Sequence, residues 1–531
     1  MAQSRATLSL RGTVILCALS GALLSLCVPP AGWWFLAWVA LVPWVAALRL
    51  GRGWASLVGS WVGGAVFFGA LVYWLYLFGI SVWLLAAALL ALWLVAWGML
   101  VRWTGRMGAL PRMAAPAVLW CGVEWARGLG PYGFTWGWLG YSQSPAPEVL
   151  PTARLLGTLG LSFAIALVNA AVAEVVVGVR RREAGWPTLA RAAGAIGAAA
   201  VIVVGARAWA RSLPGPRGPE IRAAVVQGST HGPLRPADVN TSLTAQEEKE
   251  ALDRYGALTR EAARKRPALI VWPESTIPGP PEEEPGIGAR VSQIARASDA
   301  WLLAGGPYED ERRRVFNSAY LYSPTGNVTA RYDKVQLVPF GEWVPGRSWL
   351  PVLSRYNVRE FDFAAGGAHR VLQAGTIAVG PMICFESSFP QIAWQLSARR
   401  AQVLVVITND AWFGHTAAAA QHLQVAELRA VETGRWVLRG ASTGISAIIA
   451  PDGRVVARAG LYERKTLSAE IRLVTDERPA PRWGPQFAWL MVGLSVAYAI
   501  LPLAAPRGGG EGRGRRRARA KGKGRKSGKG G

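Results

Sequence analysis

The stretch Thr376-Ile-Ala-Val-Gly-Pro-Met-Ile-Cys384-Phe385-Glu386-Ser-Ser-Phe389 is an apolar run that stops on a cysteine and then turns polar. Short runs of this kind recur from about residue 218 onward, at 221–227, 268–273, 301–306, 315–322, 376–383, 403–408 and 446–449. Polar, helix-compatible stretches separate them at 245–265, 285–298 and 418–433, with Pro and Gly at the joins. Strands alternating with helices predict a layered α/β domain of about 260 residues. Pro451-Asp452-Gly453 reads as a hairpin turn.

Outside that segment the chain changes character. Of 531 residues 51% are apolar and 26 are Trp, yet the formal net charge is +25. Apolar and basic together point to a membrane protein with basic loops and exclude a soluble nucleic-acid binder. Much of the charge is local: the Gly-rich tail from Arg507 carries eleven Lys/Arg against Glu511 alone, and reads as disordered. Beside a membrane surface, anionic headgroups are a simpler partner for it than nucleic acid, and a solvated tail with no specific role is the alternative.

Apolar runs near 12–29, 33–49, 54–78, 80–101, 112–128, 155–179, 190–210 and 485–505 predict eight membrane spans. The fifth contains Glu124, which should face protein or a watery cavity. Loop charges alternate along the chain. Arg5 and Arg11 precede the first span, Arg49 and Arg52 follow the second, and Arg102, Arg106 and Arg112 follow the fourth. Arg180, Arg181, Arg182 and Arg191 follow the sixth, whereas the intervening loops, including the long one at 129–150, carry little charge. The positive-inside rule then puts both termini in the cytoplasm and the α/β segment outside it. Leu24-Ser-Leu-Cys27 has Leu where a lipoprotein cleavage box needs a small residue, so a retained helix is expected there.

Cys17, Cys27 and Cys121 lie in apolar stretches, where Cys acts as a small hydrophobe. Cys384 stands alone in the α/β segment and has no internal disulfide partner. A strand-end thiol alone is an ordinary core residue. Two further run ends change that reading: Ile-Val-Trp-Pro-Glu274 and Tyr-Asp-Lys334. A thiol acts as thiolate, which a carboxylate base and a nearby cation promote, and strand ends are where α/β sites assemble. Spacing alone leaves open whether the three converge.

The segment from about 220 to 475 resembles the nitrilase (carbon–nitrogen hydrolase) superfamily, whose Glu–Lys–Cys triad matches Glu274, Lys334 and Cys384. Strings along the whole chain extend the likeness: Tyr73-Trp74-Leu75, Gly140-Tyr141-Ser142-Gln143, Trp272-Pro273-Glu274, Pro339-Phe340-Gly341-Glu342, Asn409-Asp410-Ala411-Trp412-Phe413-Gly414 and Thr443-Gly444-Ile445-Ser446. With helices on both sides, residues 10–505 resemble the apolipoprotein N-acyltransferase family. The resemblance implies a bundle of eight transmembrane helices carrying an extracytoplasmic α-β-β-α sandwich. The boundaries expected are 1–215 for seven spans, 216–480 for the nitrilase-like domain, 481–506 for the eighth span and 507–531 for the tail. The implied setting is the bacterial inner membrane, with the α/β domain in the periplasm.

The implied reaction moves a fatty acyl chain from a phospholipid, through a thioester on Cys384, to the α-amino group of a diacylglyceryl-modified lipoprotein. Glu274 would be the base and Lys334 the oxyanion partner. Glu342 and Glu386 are the implied supporting residues, with Phe385 where the family commonly has Tyr. A membrane-tethered nitrilase-type amidase using water as acceptor is the alternative. Intact Glu274, Lys334 and Cys384 argue against a transporter or scaffold. No cofactor is expected, and no metal, because His415 and His422 lack partners at ligand spacing. Glu427 replaces an Arg of the family pattern, while Arg429 and Arg435 are read as braces. Trp33, Trp34, Trp136 and Trp138 are read as interfacial anchors. Residues 340–370 are the lid candidate.

Overall fold

A helix that must touch its neighbour's backbone needs glycine at the contact, and the first helices of this chain supply it. The computed structural model describes residues 7–215, 217–229, 244–346, 362–475 and 481–504. Its helical half consists of α1 (Leu10–Leu26), α2 (Ala37–Ala40), α3 (Val42–Leu50), α4 (Gly53–Leu71), α5 (Ile80–Trp103), α6 (Ala109–Arg127), α7 (Pro151–Leu156), α8 (Thr158–Arg181) and α9 (Trp186–Ser212). Where α1 crosses α4, a Cβ on Gly63 would sit 2.6 Å from the Cys17 carbonyl oxygen, and one on Gly21 would sit 2.3 Å from that of Gly63. Small residues at such crossings let helices pack without a hydrophobic drive in lipid.

Five helices among the described residues are long and apolar enough to cross a membrane: Gly53–Leu71, Ile80–Arg106, Thr158–Arg181, Trp186–Ser212 and Gly484–Pro502. Leu10–Leu26 and Trp34–Leu50 are shorter apolar segments. The expected second span, 33–49, is not one helix. It is a 3-10 turn (Trp34–Leu36) followed by α2 and α3, broken before Pro43, which lacks an N–H and sits in the first turn of α3. Side chains take up the freed backbone groups: Leu41 N–H donates to Asn169 Oδ1 at 2.8 Å and Trp44 N–H to Ser20 Oγ at 2.9 Å. The expected third span, 54–78, ends as α-helix at Leu71 and continues as a 3-10 turn (Tyr73–Phe78). In α6, Glu124 is buried against protein, accepting from Trp120 Nε1 at 2.9 Å and Leu139 N–H at 2.6 Å.

The second half adds β1 (Glu220–Gln227), α10 (Ala245–Ala263), β2 (Leu269–Val271), α11 (Pro285–Ser298), β3 (Trp301–Glu309), β4 (Val315–Tyr322) and β5 (Val328–Asp333). It continues with β6 (Leu372–Ala374), β7 (Ile377–Ile383), α12 (Pro390–Ala398), β8 (Val403–Thr408), α13 (Ala418–Thr433) and β9 (Val437–Ala441). It ends with β10 (Ala447–Ile449), β11 (Val455–Arg458), β12 (Lys465–Arg472) and α14 (Gly484–Ala504). Two six-stranded sheets result, ordered β12-β1-β2-β3-β4-β5 and β11-β10-β9-β8-β7-β6. Alternate residues of each strand face opposite ways. Val225, Val271, Leu303 and Leu321 of the first sheet share a buried core with Val379, Ile383, Val405 and Leu438 of the second. Their neighbours Val226, Ile270, Leu302 and Tyr320 pack against α10 and α11. Met382, Leu404, Val406 and Ile449 pack against α12 and α13, in a cluster that continues into the helical half.

The hairpin at Pro451-Asp452-Gly453 joins β10 to β11, closed by Gly453 N–H to Ala450 O at 2.9 Å. Residues 347–361 of the lid candidate and all of the basic tail lie outside the described residues. Trp136 and Trp138, read as interfacial anchors, are instead buried, while Trp33 is half exposed. Replacing Gly63 with Val should lower stability by about 1–3 kcal/mol through overpacking, read as a lower melting temperature in detergent. An unchanged melting temperature would contradict the α1–α4 contact.

Candidate active site

Glu274, Lys334 and Cys384 follow β2, β5 and β7, and the facing of the two sheets brings these strand ends together. Trp272 N–H donates to Leu303 O at 2.8 Å, carrying β2 pairing forward to Pro273 and Glu274. The chain there runs so close to β3 that a Cβ on Gly305 would fall 2.6 Å from Glu274 Cα. Lys334 is fixed by its N–H to Asn317 O at 2.8 Å. Cys384 takes a positive φ of 53° between β7 and a 3-10 turn (Cys384–Ser388), a sparsely populated region for a residue with a side chain.

The polar atoms form a closed set. Lys334 Nζ donates to Glu342 Oε1 at 2.8 Å and lies 3.7 Å from Glu274 Oε1. Asn317 Nδ2 bridges the two carboxylates, donating to Glu274 Oε1 at 2.7 Å and Glu342 Oε1 at 2.9 Å. Asn409 N–H donates to Glu274 Oε2 at 2.6 Å, and Val338 N–H to Glu342 Oε2 at 2.9 Å. Burial works against the charge on Lys334, but Glu342, Glu274 and Cys384 outweigh it and raise its pKa. Burial also pushes the Cys384 thiol up; Glu274 adds to that and Lys334 opposes it.

Glu386 is fully buried and saturated. Its Oε1 accepts from Tyr332 OH at 2.8 Å, Val335 N–H at 2.8 Å and Gln336 N–H at 3.2 Å, and its Oε2 from Ile383 N–H at 2.8 Å. It thereby ties the Lys334 loop to the Cys384 turn. Burial raises its pKa, against the pull of those backbone donors. Phe385 turns away from this set, packing on Phe389 at 5.0 Å and on Phe134 of the helical half at 6.2 Å between ring centroids. The segment 129–150 also reaches the turn through Thr135 and Tyr141, whose hydroxyls donate to Ser388 O at 2.7 and 2.9 Å.

A profile described as "Apolipoprotein N-acyltransferase N-terminal domain" matches residues 20–171, and one described as "Carbon-nitrogen hydrolase" matches residues 222–477. An apolipoprotein N-acyltransferase from Geobacter metallireducens is 31% identical over 506 residues, covering 92% of this chain and 95% of its own. One from Allorhizobium ampelinum is 34% identical over 74% of this chain and 73% of its own. The chain belongs to the apolipoprotein N-acyltransferase family. Of solved structures, an amidase from Nesterenkonia sp. is similar over 50% of this chain and 95% of its own, at 22% identity and a TM-score of 0.37, a likeness too loose to weigh.

Several residues in this family member's site escaped the sequence reading. Asn317 is one; its signal was a polar Asn-Ser pair inside the apolar run 315–322. A second set lies behind the turn. Asp410 Oδ1 meets His422 Nδ1 at 3.1 Å, and Arg439 Nη2 donates to Asp410 Oδ2 at 2.6 Å. The other ring nitrogen of His422 lies 2.9 Å from Ser387 Oγ and 3.3 Å from Cys384 O. All three of these side chains are fully buried. Burial alone would raise the Asp410 pKa, but Arg439 and His422 reverse that and hold it at about 2. Arg429 and Arg435 are braces: Arg429 pairs with Glu432 at 3.1 Å, and Arg435 donates to Thr433 O at 2.8 Å. Glu427 accepts from Ser144 Oγ in the 129–150 segment.

Because Cys17, Cys27 and Cys121 are buried, iodoacetamide should report on Cys384 alone. With a raised thiol pKa, the thiolate fraction climbs throughout the neutral range. Alkylation should therefore keep accelerating from pH 7 to 9 without a plateau; a plateau below pH 8 would contradict the raised pKa. Replacing Arg439 with Leu strands the Asp410 charge and should cost about 3–5 kcal/mol, measured by denaturant unfolding of the purified protein.

Proposed function

We propose that this chain transfers a fatty acyl group from a phospholipid to the α-amino group of the lipid-modified N-terminal cysteine of lipoproteins, with Glu274, Lys334 and Cys384 as its catalytic residues. The observation that carries the reading is that the turn carrying Cys384, and Phe413 near it, pack on aromatic side chains of the helical half. Phe134 packs on Phe385, and Trp74 packs on Phe413 with centroids 4.8 Å apart. A donor held in the bilayer suits a nucleophile whose own turn packs against the bundle better than a soluble amide does.

In the first half-reaction Glu274 takes the thiol proton while the Cys384 sulfur attacks the ester carbonyl carbon. The raised thiol pKa makes this proton removal necessary at the moment of attack. Lys334, held protonated by its two carboxylates, stabilises the oxyanion. The ester C–O bond breaks, the proton passes from Glu274 to the departing oxygen, and a lysophospholipid leaves a thioester on Cys384. In the second, the lipoprotein amine attacks the thioester, Glu274 accepts the ammonium proton, the C–S bond breaks, and that proton passes from Glu274 to the departing sulfur to restore the thiol. Glu342 orients Lys334, and Glu386 holds the Lys334 loop against the Cys384 turn. Phe385 supplies aromatic surface to the bundle.

The setting proposed is a bacterial inner membrane crossed eight times, α1 and the tail starting and ending in the cytoplasm and the α-β-β-α domain in the periplasm. The alternation of Arg49, Arg102, Arg112 and Arg181 with weakly charged loops supports it. The domain limits proposed are 1–215, 216–480, 481–506 and 507–531.

Incubation with acyl-labelled phospholipid and no acceptor should leave hydroxylamine-releasable label on the protein. Cys384→Ala should abolish it, and Lys334→Ala should slow it by about 10²–10³-fold. Equal labelling of the Cys384→Ala protein would overturn the proposal. Rapid loss of label to water, unaffected by a diacylglyceryl peptide amine, would instead favour an amidase.

A further inference from the structure

Far from Cys384, α3, α5, α6 and α8 enclose a cavity of about 370 Å3. It lies at the end of the bundle remote from the α/β domain. The other ends of α4 and α6 lead into Trp74 and the 129–150 segment, which touch that domain. The length of α6, 19 residues, separates the two ends by about 28 Å.

The lining is strongly basic. It includes Arg49, Arg102, Arg106, Arg112 and Arg181, against Glu174 and Glu183, an excess of three positive charges. Some of these arginines brace helix ends. Arg49 donates to Val101 O at 2.6 Å and Arg112 O at 2.7 Å, and Arg102 donates to Gly51 O at 2.6 Å. Carbonyls satisfy donors but bring no countercharge, so bracing leaves the excess uncompensated. Among the described residues, the one ion pair of this lining in hydrogen-bond range is Arg112 Nη2 to Glu174 Oε2 at 3.1 Å. Arg49 is buried to 5% side-chain exposure, yet its Nε has no hydrogen-bond partner among the described residues; Glu174 Oε1 stands off at 3.6 Å. Arg106, stacked on Trp103 at 4.5 Å, and Arg181 stand exposed at the rim.

Guanidinium groups present fixed forks of donors that match phosphate oxygens, and basic pockets between membrane helices take anionic headgroups. About twelve waters would fill the volume, which leaves room for a phosphate with part of its glycerol. We propose that this cavity binds a phosphate-bearing anion, bridging α3, α5, α6 and α8 at the face of the bundle opposite the catalytic domain. The site is independent of the acyl-transfer reading, since none of its residues approaches Cys384.

The test uses full-length protein in detergent and native mass spectrometry with phosphatidylglycerol, phosphatidylcholine or inorganic phosphate. The rim variant Arg106→Gln/Arg181→Gln is compared with Arg52→Gln/Arg180→Gln, which removes the same charge from the same end without touching the cavity. Phosphatidylglycerol should be retained over phosphatidylcholine, and the rim variant should weaken retention by about tenfold or more while the comparison variant does not. Retention that millimolar phosphate fails to displace assigns the site to a lipid headgroup. Displacement by phosphate, with saturable phosphate binding of its own, assigns it to the free ion. Equal loss in both variants means surface attraction alone and overturns the proposal, as does the absence of saturable binding to either probe.

Discussion

A lysine ammonium buried to 1% exposure is the constraint around which this molecule is arranged. Leaving water costs an ion several kcal/mol, and Lys334 recovers that only through carboxylates held in place. Glu342 comes from the loop after β5, Glu274 from the end of β2, and Asn317 from the middle of β4 keeps the two from repelling each other apart. Burial pushes the Cys384 thiol beside this cluster up, with Glu274 adding to the rise and Lys334 opposing it. In the proposed reaction this is an advantage of charge balance. When the Cys384 proton moves to Glu274, one anion disappears as another forms, and the buried net charge does not change. The step is therefore a redistribution among preorganised groups, not the creation of a charge in a dry site.

The second constraint is that the nucleophile's turn belongs to both halves of the chain. Ser388 offers its carbonyl to Thr135 and Tyr141, and Gln421 of α13 accepts from Trp136 at 2.7 Å while donating to Pro29 O at 3.0 Å. Trp136 also packs on His422 with centroids 5.3 Å apart, so the same indole borders the Asp410–His422–Arg439 set behind Cys384. A soluble α/β domain would cover this face with its own loops. Here the bundle covers it.

What was legible in the sequence follows from locality. Helices over 285–298 and 418–433 appear as read, because apolar period and boundary residues lie in the same few positions. Glu274, Lys334 and Cys384 each end a strand, a local signal. β12 was missed because it is a polar edge strand, Lys465–Arg472, and β5 was read only at its end, Tyr332-Asp333, because Arg331 and Asp333 interrupt its apolar pattern. β9 was missed because Arg439 sits at its centre; that charge is tolerated only by pairing with Asp410, 29 residues away. The same non-locality hid His422, whose partners Asp410, Ser387 and Cys384 come from other elements, and Trp136 and Trp138, whose burial depends on a domain folded 250 residues later. The broken second span needed Asn169 to be seen against Leu41.

The positive φ of Cys384 connects these constraints. A left-handed conformation at a residue with a side chain costs about 1–3 kcal/mol and persists only where the surroundings over-determine it. Glu386 supplies the determination: one carboxylate oxygen takes the N–H of Ile383, just before the strained residue, and the other takes the N–H groups of Val335 and Gln336, just after Lys334. The Cys384 turn cannot relax without releasing the backbone that positions the lysine. His422 holds the opposite side through Ser387 and the Cys384 carbonyl. Strain at the sulfur is thus sustained by the two polar sets between which it lies. The turn keeps Cys384 at the end of β7, against the core between the sheets and within electrostatic reach of Glu274 and Lys334.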